Sequence, residues 1–138
     1  MADARSVQCV VVTPERAVLD AAVDFVALPM YDGELGVLPG RAPLIGRLGF
    51  GELRIRRGNH TDYLYVDGGF VQIHANEVTV LTSRALKADE IKPAEAHQAL
   101  EAAQAAQKRA HGTEAEEAQL AAQDKARAQL RVARHQPG

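Results

Sequence analysis

The sequence predicts an all-β N-terminal sandwich followed by a C-terminal α-helical hairpin of two antiparallel helices. Three observations carry this. All six aromatics (Phe25, Tyr31, Phe50, Tyr63, Tyr65, Phe70) and nine of the eleven glycines lie before Leu86. Residues 94–133 hold 15 alanines, one glycine and two β-branched residues, Thr113 and Val132. The first half also breaks into short alternating runs at turn residues about every ten positions, as antiparallel sandwiches do. Composition changes between Ser83 and Lys92, which divides the 138 residues into a sandwich over 1–86 and a hairpin over 87–138.

The strands follow in order. Ser6–Thr13 is β-branched and is stopped by Pro14. Val23–Met30 alternates loosely and is stopped by Pro29 and Asp32-Gly33. Glu52–Arg57 alternates cleanly, Leu53 and Ile55 inward, Arg54 and Arg56 outward. Tyr63–Val66 runs into Asp67-Gly68-Gly69, and Phe70–Ile73 pairs with Val78–Leu81 across His74-Ala75-Asn76. The aromatics read as alternating inward or flanking turns, so this half holds its own core.

In the second half Ala96, Ala99, Ala103, Ala106 and Ala110 step by three and four, one stripe of a helix. Ala115, Ala118, Ala122, Ala126 and Ala133 repeat it, with Leu130 beside them. Gly112 suits a left-handed cap, and Thr113 with Glu116 has capping-box spacing. An alanine seam lets two helices approach closely but buries little apolar area, at about 25 cal/mol per Å². Weak docking and a negotiable position are the expectation for this hairpin.

Charge removes several functions. There are 16 Lys+Arg against 18 Asp+Glu, and neither half has the basic excess that phosphate neutralisation by a nucleic-acid binder requires. No stretch approaches the roughly 20 apolar residues of a membrane span, and Met1–Arg5 lacks the charged start and apolar run of a signal peptide. One cysteine, Cys9, excludes an internal disulfide and points to a soluble protein of a reducing compartment. The five histidines fall at no metal-ligand spacing with one another or with Cys9, so no metal site is predicted. Cys9 reads as a buried inert thiol. Asp32 and Glu34 flank a glycine in a loop, without a nucleophile or metal companion to make them a catalytic pair. Gly33, Gly36 and Gly40 are not followed by the lysine of a phosphate-cradling loop.

Asp32-Gly33-Glu34-Leu35-Gly36-Val37-Leu38-Pro39-Gly40-Arg41-Ala42-Pro43-Leu44 closely resembles one family, the epsilon subunits of F-type ATP synthases. Val12–Arg16, Gly51–Ile55, Val66–Val71, Asn76–Leu81 and Ala128–Val132 resemble further segments of that family in order and spacing, so the likeness spans essentially the whole chain. The resemblance implies a β-sandwich with a two-helix hairpin. It implies a non-catalytic, cofactor-free subunit of the rotor's central stalk, bound to the gamma subunit, seated on the c ring and reaching the alpha and beta subunits through the hairpin. It places the protein peripherally, at the cytoplasmic face of the bacterial inner membrane. The hairpin would regulate ATP hydrolysis by moving between a state folded on the sandwich and an extended one.

By the same resemblance Glu34, with Asp32 and Arg41, would contact the c ring, Arg41 standing where the family commonly has histidine. Some bacterial members bind ATP at the start of the hairpin through Ile or Leu, Asp, two residues, Arg and Ala. Here the stretch is Ile91-Lys92-Pro93-Ala94-Glu95-Ala96, with both charges reversed at Lys92 and Glu95. A glutamate facing phosphate is repulsive, so this motif is degenerate and no nucleotide site is carried over. The alternatives are a free-standing β-sandwich binding module with an oligomerising hairpin, and a small hydrolase using Asp32 and Glu34.

Overall fold

The computed structural model describes residues 6–109 and 111–135. Eight strands come first: β1 (Val7–Val12), β2 (Ala17–Val23), β3 (Phe25–Met30), β4 (Gly33–Val37), β5 (Leu44–Arg57), β6 (His60–His74), β7 (Glu77–Leu81) and β8 (Ala85–Lys87). A 3-10 turn, Ala88–Glu90, leads to α1 (Pro93–Arg109) and α2 (Thr113–Ala133). Strand order is β2-β1-β7-β6-β5-β3-β4, with β8 also on β6; among the described residues only β1 and β7 pair in parallel. Strand β8 straddles residues 86 and 87.

The sandwich is built by two long strands turning a corner. In β5 the inward residues are Leu48, then Gly51, Leu53 and Ile55; in β6 they are Leu64 and Val66, then Val71 and Ile73. A step of three in one strand and five in the other breaks the alternation at glycines, as bulges do. Gly69 has φ +117°, and a Cβ there would stand 1.8 Å from the Leu81 carbonyl oxygen. Only glycine fits. On its other edge β6 pairs first with β8 (Leu64–Val66) and then with β7 (Phe70–His74).

The core enclosed is aliphatic: Val7, Cys9 and Val11 of β1, Val26 and Leu28 of β3, Leu53 and Ile55 of β5, Val71 and Ile73 of β6, and Val78 and Val80 of β7 are all buried. Here the aromatic expectation is corrected. Of the six aromatics only Tyr65 is fully buried, and Tyr31 and Phe70 are 69% and 61% exposed. Strict alternation would set Tyr63 and Phe70, seven residues apart, on opposite faces of β6; the glycine bulge shifts the parity between them and leaves both on the outer face.

The predicted pairing of Phe70–Ile73 with Val78–Leu81 is observed, closed by Ala75 and Asn76 at φ 50° and 61°, a two-residue turn of the primed type. Other strands differ. Val23–Met30 is two strands parted at Asp24, whose carboxylate accepts from the Gly58 amide at 2.6 Å while its own amide donates to the Arg56 carbonyl. Glu52–Arg57 is the end of β5, and Tyr63–Val66 and Phe70–Ile73 are one strand. β2, β4 and β8 lie outside the predicted set.

Pro93 opens α1, where its missing amide costs nothing. The capping box is corrected: Gly112 is the N-cap of α2, Thr113 is already helical, and the Glu116 amide donates to the Gly112 carbonyl at 3.1 Å. Gly112 has φ 95° and ψ 153°, so it is extended in ψ rather than left-handed helical. The alanine stripes hold in part. Ala96 and Ala103 are buried and Ala106 half-buried, Ala99 is exposed, and Ala110 lies outside the described residues. In α2, Ala126 and Ala133 are buried while Ala115, Ala118 and Ala122 are exposed. Gln123 is buried instead and donates to the Gln107 side chain of α1. This polar pair fixes the register of an otherwise featureless seam.

Candidate functional site

The outer surface of the β5–β6 hairpin carries two different patches, one on each side of the glycine corner. On one side Arg47 faces Phe70 across the β5–β6 pair, and Phe70 faces Leu81 across β6–β7. Ile45 lies two residues along on the same face, 75% exposed, and Leu81 is 53% exposed. The Arg47 guanidinium sits over the Tyr31 ring, 4.3 Å from its centroid, a cation–π contact that holds the ring in place. An apolar strip rimmed by arginine on a surface otherwise charged is the signature of a protein–protein contact. The sequence held one signal for it, since the predicted pairing of Phe70–Ile73 with Val78–Leu81 already sets Phe70 opposite Leu81.

Next to this strip lies a cleft of about 550 Å³ lined by Met30, Tyr31, Asp32, Glu34, Ile45 and Arg47 among others. Two of the three acid and base residues predicted to act together, Asp32 and Glu34, are therefore brought together here. Their setting is corrected in one respect. Asp32 is in the two-residue turn between β3 and β4, but Glu34 is a strand residue of β4, opposite Pro29 of β3. The expectation that Pro29 stops the strand is corrected: it lies inside β3, where the β3–β5 register shifts between Ala27 and Met30, and its ring sits within ordinary contact distance of where a Gly51 side chain would begin. Glu34 is not a free carboxylate: its Oε1 accepts from Arg54 Nη2 at 2.5 Å. Arg41 is exposed on the connection from β4 to β5 and does not line the cleft. That connection is tied down by the Gly40 amide, which donates to the Asn76 side chain at 2.7 Å.

On the other side of the corner the outer face bears Phe50, Glu52 and Arg54 from β5, opposite Asp67, Tyr65 and Tyr63 from β6. Helix α2 lies on this face. Ala128, Val132 and Ala133 pack with Tyr65, Ala88 and Ile91 in a second, smaller apolar cluster, with Tyr63 and Leu86 at its margin. Lys125 pairs with Asp67 at 3.2 Å and lies over the Phe50 ring. Just beyond α2, the His135 ring stacks on Tyr63 with centroids 3.4 Å apart and planes 6° from parallel. Its Nε2 approaches Glu52 at 3.4 Å. Among the described residues no group meets the buried Tyr65 hydroxyl at hydrogen-bonding geometry; burial, and then the Asp67 carboxylate, pushes its phenol well above the ordinary tyrosine range.

At the start of the hairpin, Ile91 and Ala96 are buried, and Lys92 and Glu95 pair with each other at 3.8 Å, both largely exposed. The reversed charges thus satisfy one another on the surface. Cys9 is fully buried, and burial, with a smaller contribution from Asp20, pushes its thiol up to about 12. At that value the nucleophilic thiolate is scarcely formed near neutrality. Among the described residues no group of three or more His, Cys, Asp or Glu side chains converges as metal ligands.

A family model described as the beta-sandwich domain of the ATP synthase delta/epsilon chain matches residues 6–88. The ATP synthase epsilon chain of Rhodopirellula baltica is 49% identical over 129 residues, 94% of this chain and 99% of that one. The chain belongs to the ATP synthase epsilon-chain family. The epsilon chain of Nitratidesulfovibrio vulgaris is 40% identical over 87 residues, covering 63% of this chain and 65% of its own. Among solved structures, one from the mitochondrial ATP synthase of Euglena gracilis, with OSCP, F1 and c-ring, superposes with a TM-score of 0.72 at 21% identity, over 94% of this chain and 78% of that one. A chain from the central stalk and c-ring of the Tetrahymena thermophila mitochondrial enzyme gives 0.65 at 14% identity, over 92% and 96%. At these identities the two structures bear on the fold, which they share from sandwich through hairpin.

Proposed function

We propose that this chain is the epsilon subunit of the central stalk of a rotary F-type ATP synthase. In this role it is non-catalytic and couples c-ring rotation to ATP synthesis in the catalytic head. The observation that carries the reading is the 49% identity to an ATP synthase epsilon chain over 94% of this chain, because it takes in the sandwich and the hairpin together.

The sandwich, residues 1–86, is the assembly unit and the hairpin, residues 87–138, the regulatory one. The Tyr31–Arg47–Phe70–Leu81 strip suits the gamma subunit, since burying the exposed Tyr31, Phe70 and Leu81 beside Arg47 supplies the apolar centre of an interface. Asp32 and Glu34, with Arg41 on the neighbouring connection, suit the polar loops of the c ring. The hairpin, released from the sandwich, would reach the alpha and beta subunits and restrain hydrolysis. Its anchorage, by Ala128, Val132 and Ala133 with a few partly exposed polar links, suits the gap of about a few kcal/mol that a two-state element requires.

The protein would be held peripherally at the cytoplasmic face of the bacterial inner membrane through the complex. Among the described residues no helix is long and apolar enough to cross a membrane. The exposed strip is also what a free-standing binding module would display. Purification from its native membranes decides between the two: the stalk subunit brings down gamma, c-ring and catalytic-head subunits, and a module does not. Removal of residues 87–138 from the reconstituted synthase should raise ATP hydrolysis, and unchanged hydrolysis would remove the regulatory part of the reading.

A further inference from the structure

The geometry points to Arg54 as a selector that couples Glu34 to the docking of the C-terminal hairpin. While Glu34 holds Arg54, the hairpin is free to stay down; when a partner takes Glu34, Arg54 competes with the hairpin for its anchor.

The foot of the hairpin, His135, uses two partners on the sandwich, the Tyr63 ring and the Glu52 carboxylate. Arg54 is a neighbour of both on the outer face. It is directly opposite Tyr63 in the β5–β6 register, and it is two residues from Glu52 on the same face of β5. Directly opposed residues have Cβ atoms about 5 Å apart, and same-face neighbours on a strand are about 7 Å apart. Both lie within reach of an arginine side chain. A guanidinium prefers a carboxylate and an aromatic face, the same two partners that His135 occupies.

In this structure Arg54 is turned the other way, across β3, to Glu34. The pair is on the surface, its side chains 40% and 55% exposed, so moving Arg54 from one carboxylate to another costs little. Arg54 thus has two arrangements of similar energy, and only one is compatible with the seated His135. Loss of Glu34 to a partner selects the other. The hairpin's second polar link, Lys125 to Asp67, lies elsewhere on α2 and is untouched by this exchange.

The inference takes its biological meaning from the reading of Glu34 as a partner contact, but the coupling is a property of the isolated chain and is tested there. Spin labels on Asn59→Cys and Ala118→Cys, both exposed sites, report the distance from α2 to the β5–β6 turn, and buried Cys9 remains unlabelled. A Lys125→Ala background loosens the second link so that a released population is measurable. There, Glu34→Gln should lower the ratio of docked to released hairpin by about twofold to fivefold, the scale of a partly exposed ion pair. Adding Arg54→Gln should abolish that loss. An unchanged ratio in Glu34→Gln, or an equal loss without Arg54, would overturn the coupling. Thermal melting of each variant separates release from unfolding. Failure to co-purify with synthase subunits would bear on the proposed function and leave this result standing.

Discussion

Glu34 and Arg54 meet across β3, the carboxylate of one edge strand accepting from a guanidinium two strands away at 2.5 Å. Ala27 of β3, opposite both Arg54 and Gly36, is small enough to let the two side chains pass over it. Such a bridge between half-exposed groups contributes about 0–1 kcal/mol. Glu34→Gln should therefore leave the thermal midpoint nearly unchanged while weakening assembly on the c ring. Parent-like assembly and coupling by the variant would remove Glu34 from the contact.

A chain ending at Leu86 should keep a cooperative melt. Among the described residues the main core draws every buried member from Val7 to Ala85 and none from the hairpin. What truncation uncovers is Tyr65 and Leu86, a loss of about 1–3 kcal/mol for a large side chain returned to water. Denaturant unfolding of the truncated chain checks this, and a non-cooperative transition would count against an independent sandwich.

Gly69→Ala should be among the most damaging single changes. Its φ of +117° and the carbonyl 1.8 Å from a Cβ leave no relaxed conformation for alanine. The cost should be about 3 kcal/mol or more, since backbone strain and overpacking add. Because this corner separates the two outer patches, gamma binding should fall as well.

Asp62 gives an acid-side signature. Burial raises its carboxyl, but hydrogen bonds from Arg57 and His60, with their charges, outweigh it and hold the group below the ordinary carboxylate range. A depressed folded value means stability that is present above the unfolded value of about 4 and lost as pH falls through the folded one. The parent should then melt above Asp62→Asn at neutral pH, with the difference shrinking below about pH 4. A constant difference from pH 7 to pH 3 would contradict the assignment.

No ATP binding is expected from the isolated chain at millimolar nucleotide. Lys92 and Glu95 neutralise each other at 3.8 Å, and Ile91 is committed to the cluster under α2. Lys92→Asp with Glu95→Arg should recover binding at most in part, because Pro93 still opens the helix between them. Isothermal titration of both proteins decides it, and saturable micromolar binding by the parent would place the phosphate contacts on other residues.

Local chemistry was enough to read the two-part architecture. An alanine-rich segment with one glycine has little choice but helix, and β-branched runs cut by Pro14 and Asp32-Gly33 have little choice but short strands. The pairing of Phe70–Ile73 with Val78–Leu81 was legible too, because a two-residue turn sets its own register. Tertiary structure decided the rest. Which way the aromatics face depends on bulges at Gly51 and Gly68-Gly69, since a single extra residue reverses the side-chain parity beyond it. Whether Glu34 is a loop acid or a strand acid depends on the chain beyond Asp32 folding back to pair with β3, which the glycine-rich run Gly33–Gly36 does not announce as a strand. Its pairing with Arg54, and the meeting of His135 with Tyr63, join residues 20 and 72 positions apart. Contacts at such separations exist only once the sheet has closed, because no period or spacing in one dimension encodes which surfaces the fold will bring together.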